Sequence, residues 1–263
     1  MTKITFIGTG GGRFATIFQK RATGGIYIAD RGILIHLDPG PGALVRMYDL
    51  DLDPTQTDAI LISHCHPDHY NDAEILMEAM TMGGKSKRGI VIGSESVVNG
   101  TEKFRPLSEY HRSLVKKVSI ARPGDTFILK DWYEVEVTPA RHSDPTTVGF
   151  KLHLNDGIVS YTSDTEFFEG LAEAHKGARI LIICMTRPLE GKIPFHLSTE
   201  DAALLVKEVK PDLAILTHMG MKVLSQSAEQ ANWIAERTKV ATIAAKDGMR
   251  TVSYTHLTLP TKA

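Results

Sequence analysis

Ten residues, SHCHPDHYND (63–72), hold three histidines and an aspartate within the six positions from His64 to His69. Imidazole nitrogens bind zinc and other borderline metals, and an aspartate adds charge and a hard oxygen. His64 and His66 lie two apart at the end of the apolar run TDAILIS (57–63), which reads as a strand, so their side chains are expected to point the same way. Asp68 and His69 follow as the chain turns into the next helix. So tight a turn cannot easily bring all its donors to one ion. Two ions close together can divide them, provided that other parts of the chain add ligands. Cys65, between the histidines, is expected to be a small buried residue facing the other way.

Further donors stand at the ends of other predicted strands. His142 ends EVTPARH, Asp164 ends IVSYTSD and His218 ends LAILTH, while His196 precedes a helix start in PFHLSTED. Strand ends collect on one rim of a sheet, where α/β proteins build their sites. That favours these four over His36, His111, His153 and His175, which fall within predicted strands or helices. Bland alternatives exist. His142 could be a loop histidine paired with Asp144, and His196 could hydrogen-bond the backbone beside a helix cap. The GTGGG stretch (8–12) could cradle a phosphate through its N–H groups or simply make a tight loop. Arg13 and Arg21 lie near it and could meet a phosphate.

The elements that must position these residues follow a repeated plan. KITFIG (3–8), GGIYIA (24–29) and ILIHLD (33–38) read as strands, then a short helix, TDAILIS, a helix over 72–80 and the strand GIVIGS (89–94). KVSIA, TFIL and YEVEVTPA open a second β-rich stretch. TVGFKLHL and GIVSYTSD form a hairpin around NDG. Helices over 166–175, 198–209 and 227–238 then alternate with strands. Ser198 with Asp201, and Ser227 with Gln230, fit helix-capping boxes. Each half passes from β-meander to helices, which predicts an α/β fold: a four-layer αββα sandwich, one domain over residues 1–252. The tail SYTHLTLPTKA (253–263) has no core pattern, resembles translated adaptor sequence and reads as an artefact, so His256 carries no functional weight.

Composition narrows the setting. Lys plus Arg (30) nearly balance Asp plus Glu (31), so no global charge marks a polyanionic partner. Residues 83–122, however, hold nine Lys/Arg against three Glu, a net +6 that could contact an anionic substrate or simply be a solvated surface. Two cysteines make no disulfide framework, the first residues are a strand and not a signal pattern, and no apolar run could span a bilayer. A cytoplasmic protein without a membrane partner is expected, with monomer and homodimer both open.

The string His-x-His-x-Asp-His at 64–69, followed in order by His142, Asp164 and His218, resembles the metallo-β-lactamase superfamily of binuclear metallohydrolases. The likeness runs from Lys3 to about Met249, and HLDPGPG with Asp38 resembles that superfamily's first motif. FIGTGGG, HLST (196–199) and LTHMG (216–220) look like its ribonuclease Z and phosphodiesterase branch. The resemblance implies one metal at His64, His66 and His142, a second at Asp68, His69 and His218, and Asp164 bridging them. It implies His196 beside a leaving group and Asp38 behind a ligand histidine. The expected activity is hydrolysis of a phosphodiester or nucleic acid by a metal-bridging hydroxide that Asp68 orients. Zinc is the default for the two divalent ions, and manganese or iron suit similar donors. In ribonuclease Z a long tRNA-binding arm separates the equivalents of His142 and Asp164; here 21 residues and a hairpin lie between them, which argues against tRNA 3′-end processing. The same fold also serves thioester, lactone and β-lactam hydrolysis. Outside enzymology, the chain could be a metal-holding binding or sensor protein.

Overall fold

The computed structural model describes residues 1–253, so the tail from 254 onward, with His256, lies outside the described residues. The first sheet holds β1 (Thr2–Phe6), β2 (Ile26–Asp30), β3 (Ile33–Leu37), β4 (Ala59–Ile62), β5 (Ile90–Ser94) and β6 (Lys117–Ala121). The second holds β7 (Thr126–Leu129), β8 (Tyr133–Pro139), β9 (Val148–Leu154), β10 (Gly157–Tyr161), β11 (Ile180–Cys184), β12 (Leu213–Thr217) and β13 (Ala241–Ala244), and β14 (Arg250–Ser253) returns to the first sheet beside β1. The orders are β14-β1-β2-β3-β4-β5-β6 and β13-β12-β11-β10-β9-β8-β7. Each sheet has three antiparallel pairings on one side and three parallel ones on the other. The chain therefore builds one plan twice, which is the likeness between its halves.

Helices cover the outer faces. The first half carries α1 (Arg13–Phe18), α2 (Ala43–Asp49), α3 (Pro67–Tyr70), α4 (Ala73–Met80), α5 (Glu95–Asn99) and α6 (Glu109–Leu114). The second carries α7 (Leu171–Ala174), α8 (Thr199–Val209), α9 (Met221–Leu224) and α10 (Ser227–Thr238). The central parallel strands are apolar throughout because both faces are buried. In β4, Ala59 and Leu61 join the core between the sheets, while Ile60 and Ile62 meet Met47, Leu76, Met77 and Met80 of α2 and α4. In β11, Ile180 and Ile182 point inward, while Leu181 and Ile183 meet Leu205, Val206 and Ile234 of α8 and α10. Two sheets between two helical layers form the expected αββα sandwich. Among the described residues no helix is long and apolar enough to cross a membrane.

Several local expectations shift. KVSIA pairs with β5 in parallel and so completes the first sheet instead of opening the second. The helix expected over 166–175 shrinks to α7, because Gly170 takes φ 95° and Glu166 accepts a hydrogen bond from Phe195 N–H at 3.0 Å. Ser198 and Asp201 do form a reciprocal capping box on α8. Ser227 does not cap: Gln226 precedes α10 without a side-chain cap bond, and the Gln230 Oε1 accepts from Thr199 Oγ1 at 2.6 Å and from Leu189 N–H at 3.0 Å. A tertiary partner has taken the side chain that a local cap would use.

Strand direction also divides the basic segment: Arg122 follows β6 and stands at the donor rim, while five other cations stand at the opposite one. Lys85, Lys87 and Arg88 precede β5, and Lys116 and Lys117 stand at the start of β6. Because β3 to β6 run parallel, these cations sit at the rim opposite the one that receives the residues after β4, His64 among them. Arg88 and Lys130 are committed there to Asp58, at 3.0 and 2.8 Å.

One buried histidine away from the candidate site bears on stability. His175 follows α7, fully buried, its Nδ1 paired with Ser160 Oγ at 2.6 Å. Burial pushes its imidazole from 6.5 down to about 3, and Lys151 adds in the same direction. Below pH 6.5 the unfolded chain takes up a proton that the folded chain refuses, so stability falls as pH drops towards about 3 and levels off beneath it. A His175→Gln variant is expected to flatten the acid limb in that window by up to roughly 1.4 kcal/mol per pH unit. Denaturant midpoints from pH 8 to 4 test this; an unchanged slope refutes it.

Candidate metal centre

The sequence-predicted donors meet on one rim. Asp38 follows β3, His64 follows β4, His142 follows β8, Asp164 follows β10 and His218 follows β12. β4 ends at Ile62, so His64 and His66 lie just past the strand and not within it. Pro67 then opens α3, with His66 as its N-cap residue and Asp68 and His69 in its single turn. Asp144 stiffens this segment: it accepts hydrogen bonds from Cys65 N–H at 3.2 Å and Ser96 Oγ at 2.5 Å. It is thus not a partner of His142, whose Nδ1–H donates to the Phe195 carbonyl at 2.9 Å.

Two triads result. Ring nitrogens of His64, His66 and His142 form one: His66 Nδ1 lies 3.0 Å from His64 Nε2 and 3.1 Å from His142 Nε2. Asp68, His69 and His218 form the other: His218 Nε2 lies 3.0 Å from His69 Nε2 and 3.3 Å from Asp68 Oδ2. Asp164 stands between them, its Oδ2 3.8 Å from His142 Nε2 and 3.9 Å from His69 Nε2, its Oδ1 3.0 Å from His218 Nδ1.

Asp38 sets the tautomers. Its Oδ2 accepts from His69 Nδ1 at 2.8 Å, from Ser63 Oγ at 2.6 Å and from Tyr161 Oη at 2.8 Å. Since Ser63 Oγ donates to Asp38, it can accept from His64 Nδ1, 3.0 Å away. One carboxylate thereby turns the Nε2 lone pairs of both His64 and His69 inward. Cys184 adds to the network by donating from Sγ to Tyr161 Oη at 3.3 Å.

The GTGGG stretch serves the same cluster. Gly12 N–H donates to Asp68 Oδ2 at 3.1 Å, and Gly10 bridges to Met219. A Cβ on Gly11 would lie 2.2 Å from the His218 ring, so only glycine lets that ring settle there. His218 itself takes φ 54°. The loop is therefore a seat for Asp68 and His218, with its Gly12 donor already engaged. Arg21 supports the loop from behind, donating to Thr9 Oγ1 at 2.9 Å and to the Ala245 carbonyl at 3.1 Å, whereas Arg13 lines the cleft in front.

Electrostatics and donor chemistry suit divalent cations. Burial pushes His64 well below its usual value, and the neighbouring histidines add to this. For His69 burial also pulls down, but Asp68, Asp38 and Asp164 outweigh it and hold the ring up at about 10. Burial raises the Asp164 carboxyl, yet His218, His69, His142 and His196 bring it below the ordinary range, and Asp68 is depressed in the same manner by His69 and His218. Facing ring nitrogens near 3.0 Å share at most one proton, and the buried Asp164 Oδ1, though 3.0 Å from His218 Nδ1, makes no aligned hydrogen bond among the described residues. A cation is what these converging lone pairs lack.

A cleft of about 660 Å³ opens over the triads, lined by Arg13, Phe14, Ile17, Thr186, Arg187 and His196 among others. His196 sits 5.0 Å from the His142 ring, centroid to centroid, its Nδ1 3.6 Å from Asp164 Oδ2 and free of any hydrogen bond. Burial lowers it to about 4; Asp164 opposes this, while His218, His142 and Arg187 reinforce it. Sequence reasoning missed Ser63, Tyr161, Thr186 and Arg187. Ser63, Thr186 and Arg187 do share one signal with the donors it found, for each closely follows a strand.

Comparison with known proteins agrees with this architecture. A family model described as the β-lactamase superfamily domain matches residues 34–219. An uncharacterized protein of Methanocaldococcus jannaschii is 43% identical over 251 residues, 94% of each chain. Ribonuclease Z of Methanosarcina acetivorans is 24% identical over 98% of this chain and 88% of its own. Among solved structures, the metallo-β-lactamase fold protein YhfI from Bacillus subtilis superposes with a TM-score of 0.79 at 19% identity, covering 95% of this chain and 98% of that one. With the match spanning most of both sheets and the whole donor cluster from His64 to His218, the chain belongs to the β-lactamase superfamily, as a metallo-β-lactamase-fold hydrolase related to ribonuclease Z.

Proposed function

We propose that this chain is a binuclear metal-dependent phosphodiesterase acting on small diesters or short oligonucleotides. His64, His66 and His142 would hold one ion, Asp68, His69 and His218 the other, with Asp164 between them. One observation carries the reading: two triads of inward-facing donors lie side by side beneath a cleft that also presents His196, Arg13 and Arg187. A pair of divalent ions held there would supply Lewis acidity and a water of lowered pKa at neutral pH, zinc being the first expectation for so histidine-rich a set.

The chain's own residues divide the remaining work. Asp68, fixed by Gly12 N–H, is placed to orient the attacking water. Asp38 keeps His69 in one tautomer directly and His64 through Ser63. His196 faces the same space and can donate a hydrogen bond or proton to the departing oxygen. Attack on phosphorus breaks a P–O bond and yields an alcohol and a phosphomonoester. The ribonuclease Z relatives support phosphoryl chemistry. Precursor tRNA is not the proposed substrate. The β9–β10 connection is a tight turn, with Leu154 paired to Gly157, and the exposed Lys85, Lys87, Lys116 and Lys117 occupy the far rim.

Metal analysis of anaerobically purified protein, followed by a substrate panel on each metal form, tests the reading. Bis-p-nitrophenyl phosphate or a short oligonucleotide is expected to turn over faster than nitrocefin, a thioester or a lactone. Preference for a thioester or lactone by orders of magnitude would overturn it.

A further inference from the structure

Arg187 stands out among the cations of the cleft. It follows β11, and its backbone is pinned on both sides: its N–H donates to the Leu197 carbonyl at 3.3 Å, its carbonyl accepts from Thr199 Oγ1 at 3.4 Å, and Met185 bridges to Leu197. The side chain lines the cleft with His196, His142 and Asp164. Its Nε is buried without a hydrogen-bond partner, and its guanidinium makes no ion pair among the described residues. Asp164, a carboxylate lining the same cleft, is instead surrounded by His142, His196 and His218. Several other arginines are engaged: Arg88 with Asp58, Arg122 with Glu95, Arg141 over the Phe168 ring and Arg237 over Trp233.

A permanently charged group beside a cleft, with no counter-charge paired to it among the described residues, is a costly arrangement unless an anion completes it. The ligand must be an anion, and its shape follows from the guanidinium: two parallel N–H groups match two oxygens of one phosphoryl group. A diester phosphate carries one negative charge shared over two non-bridging oxygens, whereas thioesters and lactones carry none.

We propose that Arg187 is the specificity-determining residue of the cleft, clasping the non-bridging oxygens of a phosphodiester monoanion and so selecting it over neutral esters. The proposal rests on the phosphodiesterase reading above and adds the group that recognises the substrate's charge. Arg13, exposed at the rim of the same cleft, is the natural control for a general positive field.

The test compares a monoanion with its neutral isostere on the full-length protein. Dimethyl phosphate and trimethyl phosphate are titrated, by NMR or calorimetry, into wild type, R187M, R187K and R13M, with metal content and Tm measured on each. R187M is expected to weaken dimethyl phosphate by roughly 10- to 100-fold and leave trimethyl phosphate within about twofold. R187K should fall between, because ammonium keeps the charge but not the fork. R13M should lose only a few-fold, and that loss should fade with salt. On bis-p-nitrophenyl phosphate, R187M should raise KM or lower kcat while metal content holds. Equal losses for both probes, or no loss of dimethyl phosphate binding in R187M and R187K, would overturn the proposal. If wild type binds dimethyl phosphate through Arg187 yet hydrolyses no diester, the assigned reaction fails and the anion clasp stands. If wild type hydrolyses diesters and R187M does so equally well, the reverse holds.

Discussion

The variant carrying both His64→Ala and His66→Ala is expected to lose at least one equivalent of metal and nearly all hydrolysis, a fall of roughly 10³-fold or more in kcat. These rings supply two of the three nitrogens that converge with His142. Removing both leaves His142 and the shared Asp164, too few donors to retain a divalent ion at micromolar metal. The second triad keeps its own supports, since Asp38 still holds His69 and Gly12 still holds Asp68. The variant should therefore bind close to one ion and not zero. Metal analysis after gel filtration, with circular dichroism to confirm the fold, makes the comparison. Full activity in the variant, or a wild-type chain that never takes up more than trace metal, would remove the binuclear assignment.

His196→Ala should separate three roles in one experiment. Its Nδ1 is 3.6 Å from Asp164 Oδ2, near enough to belong to the ion site, yet the side chain is also part of the open cleft. If it serves the leaving group, metal content and Tm survive while kcat falls by roughly 10²- to 10⁴-fold. The loss should depend on what departs. A ribose hydroxyl needs a proton or a strong hydrogen bond, whereas nitrophenolate leaves nearly unaided. The defect is therefore expected to be large on an oligonucleotide and small on a nitrophenyl diester. Equal defects on both, with metal retained, exclude the donor role. Lost metal would make His196 a ligand, and lost stability with unchanged kcat would make it a loop support.

The donor cluster was legible because it is compact in sequence and its remaining members each follow an apolar strand. Burial on both faces makes such strands easy to read: Ile60 and Ile62 needed helices as much as Ala59 and Leu61 needed the other sheet. Short helices such as α1, α3 and α9 left no periodic signal, being one or two turns long and fixed by tertiary contacts. The Ser227 cap failed because Gln230 had a better partner in Thr199, 31 residues away, which no local rule weighs. Asp38 was recognisable beside a histidine, but its reach through Ser63 to His64 depends on β3 lying against β4, which only the folded sheet supplies. Arg187 gave no warning beyond its place just after a strand. An arginine in a loop is ordinary until its surroundings show that nothing answers its charge. The basic segment shows the converse: net charge is visible in sequence, but which end of a parallel strand carries it is not.

That last placement gives the molecule a polarity along its strands. Lysines 85, 87, 116 and 117 are exposed at one end, and the donor-lined cleft opens at the other. Strands of this length separate the two by roughly 15 Å or more. Beside a negatively charged surface such as a cation-exchange bead, the protein should settle on its lysine end and present the cleft to the solution. Adsorbed enzyme would thus keep working, whereas a long polyanion gripped by the same lysines would be held facing away from the chemistry. On the phosphodiesterase reading, small anions would reach the centre, and long ones would be held at the opposite end.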